Sequence, residues 1–396
     1  MQTPNPSLLL GTSLCSLLFL LRAFHSSTSV RSPAAVHSSS PFGPPPRLAY
    51  FVTGSAGDAS RMLRLLRTIY HPRNQYLLHL DLAAPAAQRR DLALAVRSVD
   101  AYVAFRNVNV VERADRVDRD GSTALASMLH GAAVLLRYGA NWDWFVNLDA
   151  SSYPLITQDD LLHMLSFVPR DFNFIEHSSD IGWKEYQRIR PIIMDPSLYL
   201  ASESEIFYTS EKRDMPSAYR FFTGSSSVIL SRKLLEFSIL GWDNFPRTLL
   251  LYFSNMKSSQ NGYFHTLVCN SKPFRRTAVN SNLRFVAWDN PPGDEPRYLN
   301  FGDLSRMMRS GAAFARKFRE DDPVLDKIDK KILHRYHDRF APGGWCIGRD
   351  GRGRDPCQVW GDPDILRPGL LAKRLEKLLL TVLSNSSFHS NQCVYK

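Results

Sequence analysis

The sequence predicts an α/β fold with a mainly parallel central sheet, preceded by an N-terminal membrane anchor and stem. Three observations carry this. Short apolar runs that end in Gly or Asp alternate with segments of helical spacing through about residue 180. That alternation places helices on both faces of a sheet. A hydrophobic fraction of 44% beside a charged fraction of 22% is enough for a sizeable core in 396 residues. Ahead of this pattern lies an uncharged apolar run and then a Ser/Pro-rich stretch.

The elements follow in order. Residues 1–6 read as a short cytoplasmic tail, and 7–24 (SLLLGTSLCSLLFLLRAF), whose apolar run ends at Arg22, as a signal anchor, with a cleaved signal peptide as the rival reading. Residues 25–46 read as an extended stem, because Ser and Pro cannot bury much. One globular body, 47–396, then faces the secretory lumen. Within it 47–54 (RLAYFVTG) is a buried strand and 58–70 a helix that Asp58 or Ser60 can cap. Residues 75–81 (QYLLHLD) are a strand, and 84–99 a helix that tolerates Pro85 in its first turn. The runs 101–105 (AYVAF) and 108–111 (VNVV) are expected as strands, 121–139 as a helix closed by Gly139, and 142–149 (WDWFVNLD) as a strand. Later come a strand at 225–231, helices near 234–240 and 246–256, a buried helix entered from the loop 258–262, and a terminal helix at 370–383. No internal repeat or composition break divides the body.

In parallel sheets ligands sit beyond the C-terminal ends of the strands. Gly54, Asp81 and Asp149 fall at such ends, so the first half is the expected nucleotide site. The formal net charge of +11 favours an anionic partner: a membrane surface or a phosphate-bearing small molecule. No basic block with interleaved aromatics occurs, so nucleic acid is not expected. The turn TGSAG at 53–57 lacks the third glycine of a dinucleotide fingerprint and any P-loop lysine. Asp118 and Asp120 match an Asp-x-Asp metal text, and Asp362 and Asp364 do so less well, but both lie in charged or Pro-stiffened turns.

Four cysteines of the body suggest two disulfides with three possible pairings. Cys346 and Cys357 flank a Gly-rich loop and form the natural local pair, which leaves Cys269 with Cys393. Asn385 opens a glycosylation sequon.

Eight collinear segments sharpen the reading, among them YFVTGSAGDASRMLRLLRTIYHPRNQYLLHLD, WDWFVNLDASSYPLITQDDLL, IGWKEYQRIRPIIMDPSLYL, GYFHTLVCN, FVAWDNPP and FARKFREDDPVLDKID. They resemble the core-2/I-branching glycosyltransferase family, most closely its plant β-glucuronosyltransferase branch, over roughly 48–393. The resemblance implies a GT-A-like nucleotide-binding fold and a Golgi single-pass type II membrane protein. It implies an inverting enzyme that moves glucuronic acid from UDP-glucuronic acid to galactan on arabinogalactan proteins, with no metal. It places the diphosphate at Lys317, beside Arg316, and the nucleoside at Asp81. It places acceptor sugar at Glu176, Asp180, Trp183 and Lys184. N-acetylglucosaminyl or xylosyl transfer on the same scaffold is the enzyme alternative.

The pattern breaks at the position of the base. The family's glutamate base, two residues before the Tyr-Phe-His-Thr run, is Asn261 here. Asn can hold a hydroxyl but cannot take its proton. Ser152, Ser227 and Arg119-Asp120 depart from the family pattern as well. Either another carboxylate (Asp149, Asp243, Asp289 or Glu176) serves as base, or the chain is a weakened or non-catalytic Golgi paralogue.

Overall fold

The computed structural model describes residues 43–395 apart from 140, 201–204, 242, 292, 294, 337 and 349–354. The expected tail, anchor and nearly all of the stem lie outside the described residues. No helix among the described residues is long and apolar enough to cross a membrane.

The first half runs β1 (Leu48–Gly54), α1 (Ala59–Ile69), β2 (Gln75–Leu80), α2 (Ala86–Arg97), α3 (Asp100–Phe105), β3 (Val108–Val110), α4 (Thr123–Arg137) and β4 (Trp144–Asp149). Three short strands complete the sheet: β5 (Asn173–Phe174), β6 (Ile229–Ser231) and β7 (Ala278–Val279). The spatial order is β7-β5-β6-β4-β1-β2-β3. The pairs β1–β2, β1–β4, β2–β3 and β5–β7 are parallel, and only β6 is antiparallel to its neighbours. The C-terminal ends of β1, β2, β4, β5 and β7 therefore share one edge of the sheet.

Side-chain alternation along β1 builds the two cores. Leu48, Tyr50 and Val52 face α1 through Met62, Leu65 and Leu66, whereas Ala49 and Phe51 face α4 through Leu125, Met128 and Ala132. Close approach makes Gly131 necessary: a Cβ there would come within 2.4 Å of the Phe51 ring. The helix start at 58 differs from the expectation in its chemistry. Asp58 makes no capping bond to α1, and its carboxylate instead accepts from the Ser55 N–H at 2.9 Å and from Arg61. That closes the turn between β1 and α1.

Residues 101–105, expected as a strand, form the helix α3, which ends where Arg106 turns left-handed at φ 49°. Five apolar residues carry no period that separates strand from helix. His334 and His337, three apart in KKILHRYHDRF, read from sequence as a helix-face pair, but the helix Pro323–Lys331 ends before His334, which has φ 51°; His337 lies outside the described residues.

Both expected disulfides are present, Cys269–Cys393 and Cys346–Cys357. The first closes a span of 124 residues and ties the segment 389–395 to the helix Tyr263–Asn270. Replacing Cys269 and Cys393 together by serine should cost about 2–4 kcal/mol, read as a lower denaturant midpoint. An unchanged midpoint would make that tie dispensable.

Candidate active site

The shared edge carries two regions. The first lies at the ends of β1, β2 and β4. Asp81, directly after β2, is buried, and its carboxylate accepts from the Ser55 hydroxyl and the Ala83 N–H, both at 3.0 Å. Burial raises its pKa above the usual carboxylate value, although those bonds oppose the shift. The TGSAG turn is a strand-to-helix connection as expected; the Gly57 N–H is taken by Gln88 at 3.0 Å.

Asp149, the last residue of β4, is surrounded by donors. Its Oδ2 lies 3.2 Å from Arg316 and 3.8 Å from Arg119, and its Oδ1 accepts from the Ser151 and Ser152 hydroxyls at 2.6 and 3.1 Å. Burial pushes this carboxyl up, but the two guanidiniums and the hydroxyls outweigh it and hold it well below the carboxylate range. Ser152 thus supports the aspartate that precedes it rather than leaving a gap.

Arg316 and Lys317 reach this edge because Phe314–Ala315 pairs antiparallel with Tyr153–Pro154, just past β4. The Lys317 ammonium is not idle: it pairs with Glu295 and lies 4.6 Å from the Tyr298 ring centroid. Glu295 also binds Arg119 at 3.1 Å, so one exposed carboxylate bridges two cations. Hydrogen bonding from Lys317 is the main cause that lowers the Glu295 pKa, against a burial contribution of opposite sign. A diphosphate at Lys317, which the family resemblance implies, would compete with this side chain. Glu295→Gln should therefore tighten UDP binding, by up to about fivefold for an exposed pair. Weaker binding in calorimetry would instead make Glu295 a support for the basic pair.

The second region begins at the ends of β5 and β7. Strand spacing of about 4.8 Å puts it about 10 Å from the end of β4, since one strand, β6, intervenes. Here Glu176, Asn280, Ser281, Asn282, Arg284 and Asn391 line a polar cleft of about 440 Å³. The Asn282 amide donates to Glu176 Oε2 at 2.9 Å, and Asn282 Oδ1 accepts from the Arg284 N–H at 3.0 Å. Glu176 opens to solvent at the mouth, yet the walls desolvate its carboxyl and raise its pKa. Arg284 is buried, and among the described residues its guanidinium bonds main-chain carbonyls, including that of Asn147 at 2.6 Å. Burial and the neighbouring Arg316 lower it to about 9, against the pull of Asp149. Arg284 thus connects the two regions.

The other acceptor candidates do not line this cleft. Asp180 is exposed, with its N–H bound to the Ser178 hydroxyl at 3.0 Å. Trp183 is 51% exposed, which excludes a core role, and Arg188 covers its ring at 4.9 Å. Lys184 is half-buried, and burial followed by Arg188 lowers its pKa.

Asn261 ends the short turn Ser259–Asn261 and is half-buried. The turn packs on the 119–121 loop through Ser258 N–H to Asp120 O at 2.9 Å and the Gln260 amide to Arg119 O at 2.7 Å. On its other side the Thr223 hydroxyl donates to Asn261 O at 3.2 Å. The described residues offer the Asn261 carboxamide no hydrogen bond. One turn further, His265 is fully buried; burial first, then His177, lowers it to about 3, so it is neutral.

The Asp-x-Asp texts make local contacts. The Asp118 carboxylate accepts from the Asp120 N–H, and Asp364 pairs with Arg73. Among the described residues one group has metal-ligand proximity, His177, Cys269 and Cys393, and its cysteines are bonded to each other. Asn385 is exposed at the start of the helix Asn385–Phe388.

Two features escaped sequence reading. The Arg119–Glu295–Lys317 bridge joins residues 176 apart in the chain, with no local signal. Arg284 and Asn391 give no motif either; only the fold brings them to Glu176.

A basic, carboxylate-flanked edge next to a polar cleft defines an α/β protein suited to a phosphorylated ligand and a polar co-substrate. Comparison with known proteins gives the family: the model described as "Branch: Core-2/I-Branching enzyme" matches residues 48–308, and the chain belongs to that family. It is 49% identical over 374 residues to "Beta-glucuronosyltransferase GlcAT14A" of Arabidopsis thaliana, covering 94% of this chain and 84% of that protein. It is 51% identical to "Beta-glucuronosyltransferase GlcAT14B" of the same plant, covering 88% and 80%. A more distant relative, "Xylosyltransferase 1" of Rattus norvegicus, is 30% identical, with 74% of this chain and 36% of that protein covered. These relatives are glycosyltransferases, which supports a hexosyl-transferring enzyme.

Proposed function

We propose that the chain is an inverting β-glucuronosyltransferase of GT-A type that moves glucuronic acid from UDP-glucuronic acid to galactan chains of arabinogalactan proteins. The observation that carries this reading is identity near one half to two β-glucuronosyltransferases across most of both chains. The nucleoside sits at Asp81 and the diphosphate at Arg316 and Lys317. The acceptor occupies the cleft of Glu176, with Asp180, Trp183 and Lys184 as further acceptor residues. Fixed cations stabilise the departing diphosphate, and no divalent metal is needed. The protein is held in the Golgi membrane by residues 7–24 as a type II anchor, with Asn385 glycosylated in the lumen.

The fit of the cations supports this. Around Asp149 the side chains are guanidiniums and hydroxyls, a set that neutralises the carboxylate rather than leaving it for an ion.

The test is transfer from UDP-glucuronic acid to a β-galactan oligosaccharide by the purified body, with UDP-N-acetylglucosamine and UDP-xylose as competing donors. Uronate transfer is expected; preference for either competitor overturns the choice of sugar. Asn261 favours a second reading, a chain that binds both ligands without turnover. UDP binding with no transfer from any of the three donors would select it.

A further inference from the structure

Asn261 leaves the transfer without the expected base, and four carboxylates were candidates to replace it. The structure separates them. Asp149 is bound by two guanidiniums and two hydroxyls, an environment that keeps it ionised and spends its lone pairs. Asp243 caps the helix Asn244–Phe253 by accepting from the Phe245 N–H at 2.7 Å. Asp289 stands exposed in the turn before Pro291, outside the cleft. Glu176 alone of the four lines the cleft.

The main chain at Glu176 also shares a neighbour with the main chain at 261. The pair Thr223–Gly224 lies between the two: Thr223 bonds Asn261 O, and a Cβ on Gly224 would come within 1.9 Å of Glu176 O. Gly224 is fixed there by pairing with His177. The main chains of residues 176 and 261 therefore both lie against one two-residue segment. The Glu176 carboxylate keeps one oxygen on Asn282 and has no second protein donor among the described residues. Its other oxygen is left for a ligand hydroxyl.

Resting on the glycosyltransferase reading above, we propose that Glu176 is the catalytic base of this chain, in place of the residue at 261. The acceptor hydroxyl gives its proton to Glu176 as its oxygen bonds to the anomeric carbon. The bond from that carbon to the β-phosphate oxygen breaks, its electron pair leaves with UDP, and the anomeric configuration inverts. Asn282 is the positioning residue that aims the carboxylate.

Three purified forms test this with UDP-glucuronic acid and a β-galactan oligosaccharide: wild type, Glu176→Gln, and Glu176→Gln with Asn261→Glu. Gln can still accept from Asn282, so the fold and UDP affinity serve as controls and should not change. Glu176→Gln should lower kcat about 10²- to 10⁴-fold with the acceptor KM within a few-fold, and Asn261→Glu should restore at least tenfold of that loss. A Glu176→Gln enzyme that keeps kcat within threefold, or loses only acceptor affinity, overturns the base while leaving the transferase reading intact. A wild type that binds UDP yet transfers nothing overturns both.

Discussion

Replacing Arg316 and Lys317 together by alanine should weaken UDP binding about 10²- to 10⁴-fold. A hydrogen bond to a charged partner contributes about 1.5–3 kcal/mol, and the two cations together give roughly 3–6 kcal/mol, at about 1.4 kcal/mol per tenfold. The side chains are neighbours and will not add strictly. The effect has a structural cause beyond charge count. Arg316 is only 11% exposed and already holds Asp149, so its guanidinium is pre-oriented. Lys317 must leave Glu295 to reach a phosphate. The single Lys317→Ala change should thus cost less than Arg316→Ala. Calorimetry on the variants checks this, with circular dichroism to confirm folding. An unchanged Kd in the double variant would return both residues to the role of solvated surface charge.

The second large effect concerns stability. Asp329→Ala should lower folding stability by about 3–5 kcal/mol, the cost of removing one partner from a buried ion pair. Asp329 is 5% exposed. It accepts from Arg64 at 2.8 Å and from the Tyr153 hydroxyl at 2.5 Å, and Arg335 lies 3.6 Å away. Removing it leaves the buried Arg335 without its carboxylate and the Tyr153 hydroxyl without its acceptor, while Arg64 keeps Asp326 at 2.6 Å. Asp329→Asn should cost less, since it retains an acceptor for Tyr153. The change also reaches the site: Tyr153 pairs with Ala315, immediately before Arg316. The variant should therefore lose UDP affinity even where it remains folded. Urea denaturation measures the first effect, and a midpoint within experimental error of wild type would contradict it.

The strand ends at Gly54, Asp81 and Asp149 were legible in the sequence because they depend on local pattern. Apolar runs of six or seven residues closed by Gly54, Asp81 and Asp149 mark strand ends without any knowledge of contacts, and parallel order then brings them together. The Cys346–Cys357 pairing was legible because the loop is short. The run 101–105 misled because alternation and helical spacing give the same five letters. The cleft at Glu176 had no local signal in the sequence, and the resemblance alone drew attention to that residue. Glu176 sits beyond a two-residue strand, β5, too short for any periodic signal. Its cleft partners come from 280–284 and from Asn391, and the folded chain supplies the desolvation that raises its pKa. Glu295 was invisible for the same reason: its meaning lies in the two cations it bridges.

The most direct test of the central claim, that fixed cations and not a metal ion hold the donor diphosphate, is calorimetric titration of UDP-glucuronic acid into the purified body with and without EDTA. The account predicts one Kd in both conditions, lost in the Arg316→Ala, Lys317→Ala double variant. Binding abolished by EDTA and restored by Mn²⁺, with the double variant unaffected, would contradict it.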